Sequence, residues 1–152
     1  NPGPVHARDG QPMPSTYAGC HHDAESPIDK DNHGLLYLNS RIRYADIQDG
    51  SSMTLLLSEI VVDADSLGWV SGTRSTLRNT GVIELPNMGG PTPIVNPRKA
   101  DPLYVGGFGS YHPGIINCTF ADGSTHALSH NTDRTLLRQL GNRADGEIMK
   151  PF

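Results

Sequence analysis

The stretch YHPGIINCTFADGSTHALS, residues 111–129, contains the clearest structural pattern in the chain. Apolar and polar residues alternate over Ile115–Ala121, and a second segment, Ser124–Leu128, follows Asp122 and Gly123. An Asp-Gly pair between two such segments is typical of a type I′ turn, because both residues tolerate positive φ. The stretch therefore predicts an antiparallel hairpin. The core face of its first strand is predicted to carry Ile116, Cys118 and Phe120.

Outside this hairpin, the hydrophobic pattern predicts a sheet-rich fold. The most apolar run, Thr54–Val62, is expected to be a buried strand. A helix is predicted over residues 132–140, capped by Asn131 or Thr132, because three leucines share one face and a glycine follows. The other predicted elements are strands at Leu35–Asn39 and Trp69–Leu77, a strand or turn at Tyr17–His22, and a helical turn at Ile42–Ile47. We therefore expect an α+β fold, mainly antiparallel sheet with one C-terminal helix.

The composition favours a loop-rich globule. The chain has 152 residues, of which 17 are glycine and 12 are proline, and only 18% are charged. Residues 1–16 are Pro-rich and are predicted to form an extended arm or linker, which leaves residues 17–152 as the domain. Residues 86–107 carry five prolines and four glycines and are predicted to form a long loop. The formal net charge is -4 without a basic patch, so we expect no nucleic-acid partner.

The two cysteines, Cys20 and Cys118, are far apart in the sequence. They allow one disulfide, which would fit an oxidising compartment. The favoured interpretation is instead two small buried thiols.

The densest group of metal-ligating side chains is CHHD, residues 20–23. His21 and His22 point to opposite faces if this segment is a strand, so a metal site needs one of them together with Asp23, Asp29 or His112. In DKDNHG, residues 29–34, Asp29 and Asp31 occupy the first and third positions of a calcium-loop pattern. Position twelve of that pattern is a serine instead of glutamate, so an Asx-rich turn is the favoured interpretation, with calcium as the alternative. We predict no cofactor.

His112 has a functional and a structural interpretation. A neutral imidazole suits a metal ligand or a general base. A straight strand of nine residues would, however, place His112 and Asp122 at opposite ends of the hairpin. We therefore expect a structural imidazole that binds the segment of residues 17–23 or that of residues 39–50. No GxSxG pattern supports a hydrolase.

The segment GGFGSYHPGIINCTFADGSTHALS, residues 106–129, resembles the C-terminal signature of the DUF1559 family, which has an H-X9-DG motif. His112, Asp122 and Gly123 match that motif. YAGCHHD and DNHGLLYLNSRIRYADIQDGSSMTLLLSE, within residues 17–59, and LLRQLGNRADGE, residues 136–147, resemble the same family.

The resemblance implies a location and an architecture. DUF1559 proteins are abundant in planctomycete-type bacteria and typically begin with a prepilin-type helix, followed by a pseudopilin-like stem of the kind known from type II secretion. The chain starts Asn1-Pro2-Gly3-Pro4, without Met or signal peptide, so we expect a longer, membrane-anchored precursor whose N-terminal helix is missing here. The resemblance thus implies an exported protein, periplasmic or extracellular.

The family has no established enzymatic activity. We therefore expect a non-enzymatic, pseudopilin-like C-terminal globular domain that acts through protein partners in a multi-subunit cell-envelope assembly, or as an accessory subunit of a larger complex. Two alternatives remain: a periplasmic solute- or metal-binding module, and a hydrolase that uses His112.

Overall fold

Six β-strands form one sheet in the computed structural model, which describes residues 13–62, 68–71, 73–86 and 101–147. The strands are β1 Tyr17–His22, β2 Leu55–Glu59, β3 Leu77–Glu84, β4 Gly107–Gly109, β5 Ile115–Phe120 and β6 Thr125–Ser129. One α-helix, α1 Arg134–Gly141, follows the sheet, and two short 3-10 turns lie at Tyr44–Asp46 and Trp69–Ser71. Most of the predicted arm (residues 1–12) and most of the predicted long loop (residues 87–100) lie outside the described residues.

The strand order is β4-β3-β1-β2-β5-β6. The pairs β1–β2, β2–β5 and β5–β6 are antiparallel, whereas β1–β3 and β3–β4 are parallel. The prediction of a sheet-rich fold with a C-terminal helix is confirmed, but the sheet is mixed and not strictly antiparallel, since three of its five strand pairs are antiparallel and two are parallel. β2 and β4 are also in contact, although two strands separate them, so the sheet is curved.

The hairpin over residues 115–129 is confirmed, with a different turn. β5 and β6 pair from Ile115 with Ser129 to Thr119 with Thr125. Among the loop residues only Gly123 has a positive φ, 86°, and its N–H donates to the Phe120 carbonyl at 3.0 Å. The loop is therefore a three-residue connection with glycine at the left-handed position, instead of a type I′ turn.

The core lies between the sheet and α1. As predicted, the β5 side chains Ile116, Cys118 and Phe120 are almost fully buried. α1 packs on β3 and β1, and its last residue, Gly141, lies so close to Thr80 that a side chain would not fit. The other buried hydrophobic residues of this core are Ala18, Cys20, Leu55, Ile60, Phe108, Leu128, Leu137 and Leu140.

The helix begins slightly later than predicted. Asp133, and not Asn131 or Thr132, is the N-cap, and its carboxylate accepts from the N–H groups of Thr135 and Leu136. A carboxylate at this position also interacts favourably with the positive end of the helix dipole. None of the described helices is long and apolar enough to cross a bilayer.

Two predicted strands are wrong. In Leu35–Asn39 the N–H groups of Leu35 and Leu36 both donate to the Cys20 carbonyl, and Asn39 has a φ of 57°, so the chain turns instead of extending. In Trp69–Leu77 the described residues form a 3-10 turn at Trp69–Ser71 and further turns over residues 74–76, and the strand in this region starts at Leu77.

That strand, β3, escaped prediction because its buried residues are polar. Arg78, Asn79 and Thr80 are each at most 3% exposed. The Asn79 amide donates to the Glu25 carboxylate and to the Gly106 carbonyl, which compensates its burial. A pattern based on apolar residues cannot detect such a strand. The predictions of β1 and of a shorter version of Thr54–Val62 are confirmed.

Candidate functional site

A buried glutamate at the end of β2 organises the entry to the hairpin. Glu59 is 9% exposed, and its Oε2 accepts from the Asn117 backbone N–H at 2.8 Å and from the Asn117 side-chain amide at 3.2 Å. The Nδ1 of His112 lies 3.1 Å from Oε1 of the same carboxylate. The Ser110 hydroxyl in turn lies 2.9 Å from this Nδ1. Polar groups of four residues from β2, β5 and the preceding loop thus converge.

The carboxylate of Glu59 is held in its ionised form. Burial raises its pKa, but the hydrogen bonds from the Asn117 backbone, Ser110, His112 and the Asn117 side chain outweigh burial, so its pKa is below the ordinary value. An ionised acceptor shared by several donors makes charge-assisted hydrogen bonds, which are stronger than neutral ones. The site is therefore well suited to hold the hairpin in place.

The same residues do not have the arrangement of a Ser-His-acid triad. In a Ser-His-acid triad the serine and the carboxylate bind different nitrogens of the imidazole. Here the Ser110 hydroxyl and the Glu59 carboxylate both approach Nδ1 of His112. The His112 side chain is also 54% exposed, so it lies in water and not in the dry environment that strengthens such a relay.

The Asp-Gly end of the hairpin is attached to the opposite end of β2. The Ala121 N–H donates to the Thr54 carbonyl at 2.9 Å, and the Asp122 N–H donates to the Ser51 carbonyl at 3.2 Å. The Asp122 carboxylate accepts from the backbone and hydroxyl of Ser124, which holds the turn closed. The hairpin is thus fastened to β2 at both ends, and the length of the paired strands sets the distance between the fastening points.

A second polar cluster joins the end of β1 to the following loop. The Oδ1 of Asp23 lies 2.5 Å from Nδ1 of His22 and 3.1 Å from Nδ1 of His33. The Asn142 amide donates to Oδ2 of Asp23 at 3.0 Å. His22 and Asp23 are mostly buried, whereas the His33 side chain is 51% exposed. The cluster is therefore accessible from the His33 side.

The charges in this cluster are tuned by burial and by its hydrogen bonds. Burial raises the pKa of Asp23, but the Asn142 hydrogen bond and the two histidines outweigh it, so the pKa is lowered. The pKa of His22 is also lowered, because its burial outweighs the attraction of Asp23 for a proton. The cluster thus combines a carboxylate with an imidazole that favours its neutral form.

An open cavity of about 680 Å³ adjoins Asp23. Its wall carries both signs of charge, with Glu25 and Glu147 on one hand and Arg134 and Arg138 on the other. Asp29, which the sequence suggested as a metal ligand, is not part of this wall.

A comparison with protein families gives a match to DUF1559, a protein family of unknown function, over residues 2–135. The chain belongs to the DUF1559 family. Comparisons with curated proteins and with solved structures gave no match. In this DUF1559 protein the family motif therefore corresponds to the two fastening points of the hairpin, His112 at one end and Asp122 with Gly123 at the other.

The structure corrects the expected partner of His112. Its imidazole does not bind residues 17–23 or 39–50; it binds Glu59, Ser110 and Asn117. His112 and Asp122 lie at opposite ends of the hairpin, as predicted. Cys20 and Cys118 are both free and buried, so the disulfide is not formed in the structure.

Most of the suggested metal ligands do not come together. His21 is fully buried and shares a hydrogen bond with Asn32. The Asp29 carboxylate accepts from the next backbone N–H, and Asp31 is exposed near Lys30. Of the suggested ligands, His22 and Asp23 lie in the group that the structure assembles, which is completed by His33.

Sequence reasoning missed Glu59, Ser110, Asn117 and Asn142 as site residues. A signal for Glu59 exists, since a glutamate in an apolar run such as LLLSEIVV has to be paired when it is buried. The other three are common polar residues whose roles depend on contacts between distant segments.

Proposed function

We propose that this DUF1559 protein is a non-enzymatic, exported, pseudopilin-like protein that acts through contacts with other proteins. It serves in a cell-envelope assembly or as an accessory subunit of a larger complex. The observation that carries the proposal is the geometry of the family motif, in which His112 and Asp122 fasten a hairpin instead of facing a reactive centre. A motif with this role stabilises the fold, which supports a function carried by the protein surface.

Exposed apolar side chains near the start of β1 support a protein partner. Trp69 and Val70 are each 61% exposed, and Met13 is 50% exposed. The Trp69 N–H donates to the Met13 carbonyl, so the two segments are adjacent. Tyr17, the first residue of β1, is exposed as well. Grouped exposed aromatic and aliphatic residues are typical of protein–protein contacts, whereas isolated ones are common on any surface.

The test is capture of partners from the envelope and secreted fractions of the source cells. The purified chain is immobilised, cross-linked to bound proteins, and the products are identified by mass spectrometry. We expect one or a few envelope proteins in stoichiometric amounts, with Trp69→Ser reducing their recovery at least about tenfold, as for a residue at the centre of an interface.

The matched control is Tyr44→Ser. Tyr44 is also an exposed aromatic residue, but it lies at the other end of β2. Its hydroxyl contacts Ser51, which precedes β2. The segment Met13–Tyr17 is bound at the far end of that strand, where the Ile60 N–H donates to the Thr16 carbonyl. This variant should recover the same proteins as the parent. Isolation of the chain as a lone monomer with a bound solute would contradict the proposal and favour a solute-binding module.

A further inference from the structure

The end of β1 and the loop after it place three potential metal ligands together. His22, Asp23 and His33 each offer one ligand atom, and these three atoms lie within 4.8 Å of one another. In a tetrahedral zinc site with bonds of about 2.0–2.1 Å, neighbouring ligand atoms are about 3.3 Å apart. The contact between Asp23 and His33, at 3.1 Å, is close to this spacing, and the contact between His22 and Asp23, at 2.5 Å, would lengthen around a bound ion. Within the described residues no other group of histidine, cysteine and carboxylate side chains converges in this way.

The three ligands come from two segments, since His22 and Asp23 are neighbours in the sequence and His33 lies ten residues after Asp23. His33 is separated from Asp23 by a loop, yet the rings of His33 and His22 lie 4.3 Å apart between centroids. Backbone contacts hold this loop against β1, since the Gly34 N–H donates to the His21 carbonyl at 2.9 Å. The position of His33 is thus determined by the fold and not by its own side chain.

The surroundings match those of a metal-binding carboxylate. Asn142 donates to Oδ2 of Asp23 at 3.0 Å and so orients the carboxylate, which leaves Oδ1 directed at the two histidines. Second-shell hydrogen bonds of this kind orient ligands in metal sites. The Ala24 N–H lies 3.1 Å from Nδ1 of His22, and an ion bound at this nitrogen would take the place of that contact.

We infer that His22, Asp23 and His33 bind a divalent transition-metal ion of the zinc type. Two imidazoles and one carboxylate suit zinc and related borderline ions, whereas calcium prefers oxygen ligands alone. Because the His33 side chain is half exposed, a fourth ligand reaches the ion from solvent. Through Asn142 the site also connects the end of α1 to β1, so a bound ion would brace this side of the domain.

The experiment uses the untagged chain, stripped with a chelator and dialysed. Zn²⁺ is titrated by calorimetry, bound metal is counted by elemental analysis, and Co²⁺ is used as a spectroscopic probe of tetrahedral coordination. We expect one ion per chain and no binding of Ca²⁺. At a free Zn²⁺ concentration of about 100 times Kd, the melting temperature should rise by on the order of 5–10 °C.

His33→Ala is the decisive variant, because its half-exposed side chain is removed without opening the core. It should weaken Zn²⁺ binding at least about 100-fold and abolish the thermal shift, while melting near the metal-free parent. His126→Ala, which removes an exposed histidine on β6, should bind like the parent. Less than one ion per chain in the parent, or unchanged binding by His33→Ala, would overturn the inference. The metal titration does not depend on partner capture, so the outcome of this test is independent of the outcome for the proposed function.

Discussion

His112 and Glu59 are 53 residues apart in the chain, and the imidazole of His112 lies 3.1 Å from the Glu59 carboxylate. The contact joins the loop before β5 to the end of β2. Together with the contacts of Ala121 and Asp122 to the segment before β2, it fastens the hairpin to its neighbour at both ends. The family motif is therefore best understood as two attachments separated by one strand.

The carboxylate should matter more for stability than the imidazole. Glu59→Gln leaves the buried Asn117 N–H with a weaker acceptor, and we expect a loss of about 1–3 kcal/mol in the free energy of unfolding. His112→Ala should cost only about 0.5–1.5 kcal/mol, because the ring is half exposed and Glu59 keeps its other donors. Urea unfolding of both variants beside the parent measures this. A larger loss for His112→Ala than for Glu59→Gln would contradict the interpretation.

Glu59 should also make the stability depend on pH in the acid range. Its pKa in the folded protein is below the ordinary value of 4.5, so the unfolded chain binds more protons and stability rises with pH. This contribution is fully present above about pH 4.5 and is lost as the pH falls through the folded pKa. Between pH 6 and pH 3 the unfolding free energy of the parent should therefore fall more steeply than that of Glu59→Gln. Parallel curves for the two proteins would show that the carboxylate is not stabilised by the fold.

Two glycines should be intolerant of substitution for different reasons. Gly123 has a φ of 86° with open space around it, so Gly123→Ala should cost about 1–2 kcal/mol through backbone strain, and Gly123→Asn less. At Gly107 a Cβ atom would overlap the Val82 carbonyl, so Gly107→Ala should cost at least about 2–3 kcal/mol. Urea denaturation of the alanine and asparagine variants distinguishes the two causes. At position 123 asparagine should lose less unfolding free energy than alanine, whereas at position 107 it should not. Equal losses for alanine and asparagine at position 123 would speak against strain as the cause.

Arg143 should resist even a conservative change. Its guanidinium donates to the carbonyls of Asn32 at 2.7 Å and Gly34 at 3.0 Å and lies 5.3 Å from the centre of the Tyr37 ring. Lysine cannot make both bonds and stack on the ring in the same geometry, so Arg143→Lys should lower the unfolding free energy by about 1–2 kcal/mol. The control is Arg134→Lys at an exposed helix position, which should stay within about 0.5 kcal/mol of the parent in the same thermal and urea melts. Equal behaviour of the two variants would refute the role given to Arg143.

The two thiols should be inert in the folded protein. Burial raises the pKa of Cys118 to about 11 and moves the pKa of Cys20 in the same direction, so neither is a thiolate at neutral pH. A thiol-reactive dye such as Ellman's reagent should label no cysteine in buffer and two in denaturant, without added reductant. Labelling in denaturant that requires prior reduction would demonstrate a disulfide instead.

The sequence by itself was sufficient for the elements that depend on local pattern. The hairpin over residues 115–129 alternates with a period of two, and the run around β2 is apolar over most of its length, so both were predicted. The C-terminal helix was predicted from its leucine face and lies within two residues of the expected start. Such elements are visible because burial of one face imposes a period on the chain. The family motif is likewise a local pattern with fixed spacing.

Tertiary structure decided what depends on pairing between distant segments. In β3 the buried Asn79 amide donates to the distant Glu25 and Gly106, and the parallel pairing of β3 with β1 has no local signature. The predicted partner of His112 was wrong, and His33 was not predicted to join His22 and Asp23, for the same reason. A polar side chain can find its partner anywhere in the fold, and hydrogen bonds impose no period on the sequence. Only the three-dimensional arrangement therefore shows which carboxylate meets which imidazole.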